Sequence, residues 1–283
     1  MRKRLKQAGL TFLSLLAVVI AFAGYAYLIA QSGNRSAFVG YVGLAIVCLV
    51  TYLAAARWIE RRVPTEFSLH HALPALGAGL LGGIAMFSAV MAILWAAGAY
   101  RAEGWAELDA AGIALALVLW FAVAVQEEIL YRGLLFRLCS KIAGTWGALL
   151  LSAALFGASH VLNPGWTLAG LFSVALAGVF LGAAYAATGR LWLPIGLHAG
   201  WNFTQGSVFG LQVSGNNVGS GLITGSLNGP DYLTGGRFGP EATIAAVIVV
   251  IAVAAYLVWR TEKLGRTEPP IWSATEPASD NAT

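Results

Sequence analysis

Charge is what this chain lacks most. Only 11% of its 283 residues are Asp, Glu, Lys or Arg, against 58% hydrophobic, which is too little polar surface to cover a water-soluble globule. Cysteine is almost absent. The two present, Cys48 and Cys139, fall in or beside apolar runs and are not at metal-ligand spacing, so neither a disulfide framework nor a thiolate metal site is indicated, and both read as packing residues. The chain also lacks a Gly-x-Ser-x-Gly elbow, a His-Glu-x-x-His zinc motif and any pair of Asp residues inside an apolar run. Those absences disfavour serine, HExxH-type zinc and aspartate proteolysis. The net charge is +4, but the basic residues stand singly or in small groups beside apolar runs rather than on one face, which argues against a nucleic-acid partner.

What is present is a succession of apolar runs of about twenty residues, the length a helix needs to cross the hydrocarbon of a bilayer. The expected fold is therefore all-α: a polytopic membrane bundle of about eight transmembrane helices, near 9–30, 37–56, 73–98, 111–139, 145–163, 168–188, 191–209 and 241–259. The run from Ala8 to Ala30 behind Met1-Arg2-Lys3-Arg4-Leu5-Lys6 is longer than a signal-peptide core and reads as an uncleaved first span. Fourteen of the seventeen Lys and Arg then fall on one side of the membrane, which the positive-inside rule makes the cytoplasm. Arg35, Arg101 and Arg237 are left on the other side with Glu103, Glu107 and Asp109. Both termini are expected to be cytoplasmic, with the whole in the plasma membrane of a bacterium. Residues 1–110 supply the first three helices, 111–266 a transmembrane core that carries the polar motifs described next, and 267–283 a polar tail too poor in apolar groups to hold structure. No internal repeat suggests the duplicated halves of a transporter.

Ionisable groups inside a bilayer are costly, and each is a functional candidate. They are few here, and they are grouped. The fourth run carries Gln126-Glu127-Glu128 and then Arg132; Glu128 and Arg132 are four apart, on one helical face, and are expected to pair. Glu127 lies about 100° around the helix and has no such partner, so it is the carboxylate free to take and return a proton. The fifth run carries Phe156 and His160 four apart, and the seventh His198 and Asn202. Small residues, among them Gly178 with Gly182 and Gly196 with Gly200, would let these helices approach closely enough to converge. His70 and His71 sit in a cytoplasmic loop and read as solvated.

A carboxylate and an imidazole can activate a water, while a second imidazole and an amide can donate to the oxyanion formed when water attacks a carbonyl. His160, His198 and Glu127 could instead hold a zinc ion. The order Glu-Glu-x-x-x-Arg, Phe-x-x-x-His, His-x-x-x-Asn resembles the CPBP family of intramembrane proteases, which includes type II CAAX prenyl endopeptidases and bacteriocin-processing or immunity proteins. That resemblance implies that Glu127 and His160 activate water, that His198 and Asn202 form the oxyanion hole, and that Glu128 and Arg132 brace the site beside Phe156. It also implies an endopeptidase acting on a peptide or membrane-protein substrate without a required metal, zinc being the alternative cofactor. The competing expectations are a non-catalytic peptide-binding or immunity protein of the same fold and a small-solute or proton transporter using Glu127. Oligomeric state and substrate are not readable. Two features sit awkwardly: His198 counts about 12 Å deep from the cytoplasmic side whereas His160 counts near the far side, and 206–240 is long for a turn, suggesting a lid or re-entrant segment over the extracytoplasmic end.

Overall fold

The structure, a computed structural model, describes residues 1–31, 37–106, 110–219 and 221–273. Arg35, Glu107 and Asp109, which entered the topology expectation, and tail residues 274–283 lie outside the described residues. Its long helices are α1 (Arg2–Gln31), α2 (Ala37–Trp58), α3 (Ala72–Ala96), α4 (Ala110–Glu128), α5 (Arg137–Ser159), α6 (Leu168–Thr188), α7 (Trp192–Phe203) and α9 (Ile244–Lys263), with a single-turn α8 (Asp231–Thr234) before the last. Six stretches among the described residues are long and apolar enough to cross a membrane. One of these, 53 residues from Ala110 to Leu162, would measure about 80 Å if straight, far more than a bilayer. It is broken at Gly144, whose φ of 70° and ψ of −177° suit a residue without a Cβ. The chain doubles back there into the two spans expected near 111–139 and 145–163, and the polytopic helical bundle is borne out.

Local sequence explains the helix ends. Thr167 and Thr243 cap α6 and α9, their hydroxyls accepting the N–H groups of Gly170 (3.0 Å) and Ala246 (3.1 Å), each cap contributing about 1 kcal/mol. Gly189 ends α6 in the left-handed conformation at φ 66°. Between α4 and α5 the backbone passes through a π-helical stretch, Ile129–Phe136, a geometry frequent at functional sites.

Glycine sets how closely α3 and α7 pack. A Cβ on Gly79 would lie 2.9 Å from Gly196 Cα, one on Gly83 only 2.2 Å from Leu197 O, and one on Gly200 2.3 Å from Leu80 O. Gly196 and Gly200 therefore do pack backbone to backbone, and their partners are Gly79 and Gly83. Gly157 and Gly178 join α5 to α6 in the same manner, against Leu171 O at 2.8 Å and Ala153 Cα at 2.8 Å.

The two ends of the bundle differ. One is basic and tied by polar contacts: Arg62 grips Glu66 with both terminal nitrogens at 2.8 Å, Arg137 reaches Glu60 at 2.6 Å, and Thr11 donates to Glu60 at 3.1 Å. Burial would raise the Glu60 pKa, but hydrogen bonds from Arg137 and Arg62 overcome it and hold the carboxyl down at about 2. The segment expected as a structureless tail begins here with a docked stretch. The Thr145 N–H donates to Glu268 O, the Ile271 N–H to Ile142 O (2.9 Å each) and Arg4 to Pro269 O (2.9 Å); backbone bonding beside the Gly144 turn compensates for the lack of apolar groups.

At the other end, Tyr100–Trp105 (β1) pairs antiparallel with Ile223–Leu227 (β2). This small sheet departs from a purely helical expectation, and its partners are too far apart in sequence to leave a hairpin signal. Within 206–240 the described residues form strand pairing, a bridge at Val213–Asn216 and α8.

Candidate active site

The π-helical stretch after Glu128 carries Arg132 beneath the centre of the bundle. Both Glu128 and Arg132 are 0% exposed, joined at 2.8 Å, and Arg132 also donates to Gly178 O at 3.1 Å. The guanidinium lies 4.7 Å from the Phe156 ring centroid, a cation–π contact that uses the ring face. With Ile129, Leu134, Leu191 and Ile195, all fully buried, the pair closes the bundle towards its basic end. Among the described residues, Glu128 Oε2 and Arg132 Nε are buried with no hydrogen-bond partner, so the pair is held more by charge than by full hydrogen-bond satisfaction.

Above this floor lies a cavity of about 670 Å³ between α4, α5, α6 and α7, within the range of small-molecule and peptide sites. Glu127, Phe156, His160, His198 and Asn202 all line it. His198, on α7, is anchored by its Nδ1 to Glu128 Oε1 at 2.9 Å, and its Nε2 faces Glu127 Oε2 at 3.7 Å. Glu127 keeps 27% of its side chain exposed, into the cavity. Asn202 stands one helical turn from His198 on the same face and is nearly buried.

His160 occupies the C-terminal cap of α5, at the start of a 3₁₀ turn. Its Nδ1 is 2.8 Å from Phe156 O, a geometry in which Nδ1–H donates and Nε2 remains bare. The ring packs edge-on to Phe156 at 4.9 Å between centroids, and His198 reaches the same ring at 6.3 Å. The difference in depth between the two histidines is thus spanned by one aromatic ring. Among the described residues, Glu127 and His160 share the cavity without a direct ion pair. No three His, Cys, Asp or Glu side chains among the described residues are grouped to hold a metal ion.

Sequence reasoning missed Glu241. It lines the far end of the cavity with Asn163, Ser214 and Asn216, and its Oε1 is buried without a partner among the described residues. Burial pushes this carboxyl above the ordinary range, opposed by hydrogen bonds involving Ser214 and Gln205. The signal was a lone acidic residue at the head of the last apolar run, easily mistaken for a span boundary. Cys48 and Cys139 are free thiols, the first buried and the second partly so, and His70 and His71 are exposed.

Fold and site together define an integral, multi-pass membrane protein with a polar cavity between its spans. Residues 109–204 match the family model described as type II CAAX prenyl endopeptidase Rce1-like, a stretch containing all three polar motifs. That match agrees with the resemblance read from those motifs. No curated protein and no solved structure matches the chain.

Proposed function

We propose that the chain is an intramembrane endopeptidase in which Glu127 and His160 activate a water for attack on a peptide carbonyl. What supports this most is that Glu127, His160, His198 and Asn202 line one cavity inside apolar spans, with His198 fixed in orientation by a buried ion pair. A water in the cavity gives its proton to Glu127 as its oxygen bonds to the carbonyl carbon. The carbonyl oxygen becomes an oxyanion facing His198 and Asn202. In its imidazolium form His198 donates Nδ1–H to Glu128 and keeps Nε2–H for that oxygen, beside the Asn202 amide. Glu127 then returns the proton to the leaving amine nitrogen as the carbon–nitrogen bond breaks. His160, its Nδ1 committed to Phe156 O, offers Nε2 to orient the water.

This route uses no metal and is supported by the donor geometry rather than by any bound group. The test is Glu127→Gln, which preserves shape while removing the base. Loss of substrate turnover, with assembly and thermal stability unchanged, supports the reading. Undiminished turnover refutes it.

A further inference from the structure

The direction in which the cavity opens bears on the substrate. Helices α4, α5 and α6 each line it with the part remote from the basic end: α4 from Gly112 to Glu127, α5 from Phe156 to His160, and α6 from Ser173 to Leu181. Beyond Glu127 the way is shut by the Glu128–Arg132 pair, 0% exposed, and by fully buried Ile129, Leu134 and Leu191. At the opposite end the lining passes into the 206–240 cover and Glu241, where Asn216 and Asn217 are exposed. The closed end is also where arginines gather: Arg4 on Ser140 O (3.1 Å), Arg62 and Arg137 on Glu60 and Glu66, and Arg266 on Ala187 O (2.6 Å). Excess Lys and Arg mark the cytoplasmic side of a bundle. A second observation concerns charge. Among the described residues, the lining holds Glu127 and Glu241 but no Lys or Arg, and its His198 is already committed to Glu128, so a free C-terminal carboxylate would meet no fixed, unengaged cation to offset its desolvation.

We infer that the site faces away from the cytoplasm and acts on an internal bond of a peptide presented from the extracytoplasmic side, rather than on a C-terminal tail delivered from the cytosol. This rests on the peptidase reading for its chemistry and on the closed floor for its direction. The bond cut lies in a segment that enters past Asn217 and carries neutral or basic side chains near Glu241.

In a background with Cys48 and Cys139 replaced by Ala, Asn217→Cys and His70→Cys are each exposed to a membrane-impermeant sulfonated maleimide on intact cells, and again after permeabilisation. Asn217→Cys should label in intact cells and His70→Cys only after permeabilisation; the reverse pattern overturns the inference. Peptide-end proteomics of cells carrying the wild type or Glu127→Gln then locates the cut. New ends outside the cytoplasm that need Glu127 support the inference, and cytosolic C-terminal trimming that needs Glu127 overturns it. Outward labelling without any Glu127-dependent end would sink the peptidase reading while upholding the direction of the mouth.

Discussion

Breaking the Glu128–Arg132 pair is the most direct probe of how the site is held. Arg132→Met removes a 2.8 Å ion pair, a 3.1 Å hydrogen bond to Gly178 O and the contact with Phe156, and strands a fully buried carboxylate. Removing one partner of such a pair costs about 3–5 kcal/mol. Glu128→Gln strands the guanidinium in the same way but leaves an amide oxygen able to accept from His198, so its cost should fall at the lower end of that range. The double variant strands neither charge. It should therefore cost less than the sum of the singles, with a coupling of about 2–3 kcal/mol. The measurement is equilibrium unfolding in mixed detergent micelles for the four proteins of the cycle. Additivity within about 0.5 kcal/mol would show that the two groups do not depend on each other and that the floor is not held by their attraction.

Three other outcomes follow from the geometry. Gly83→Ala, whose Cβ would sit 2.2 Å from Leu197 O, should cost about 1–3 kcal/mol by forcing α3 and α7 apart and should lower turnover by displacing His198; Gly40→Ala, with nothing within 4 Å, should change stability by less than about 0.5 kcal/mol. Glu60 is held down at about 2 from its ordinary 4.5, so its stabilisation, about 3 kcal/mol by linkage, is present above pH 4.5 and lost as pH falls through 2; thermal unfolding across that window should show a loss that is absent in Glu60→Gln. Glu241 is shifted the other way, so its contribution is full at acid pH and lost as pH rises through its folded value; Glu241→Gln should remove that alkaline loss in the same assay.

The spans were legible because a water-soluble fold seldom contains uninterrupted apolar runs of about twenty residues. Glu127, Glu128, Arg132, Phe156, His160, His198 and Asn202 were legible because polar groups in such runs are conspicuous. The structure puts all seven around one cavity and its floor. What the sequence could not show depends on pairing between distant segments. The partners of Gly196 and Gly200 on α3 look like ordinary small residues until two backbones are seen in contact. The β1–β2 ladder joins stretches more than a hundred residues apart, and local propensity says nothing of such a match. Glu241 was hidden because an acidic residue heading an apolar run reads as an interfacial marker, whereas here the 206–240 cover folds over it and encloses its carboxyl.

The closed floor also bears on leakage across the membrane. A hydrated hollow with two carboxylates and two imidazoles in a membrane would be a ready path for ions and protons, yet here the way onward runs through a guanidinium locked between Glu128, Gly178 and Phe156. An ion pair fully shut off from solvent and walled by apolar side chains leaves no hydrated route for ions past it. Water drawn into the cavity, as the proposed chemistry requires, would then have no wet route onward through the floor.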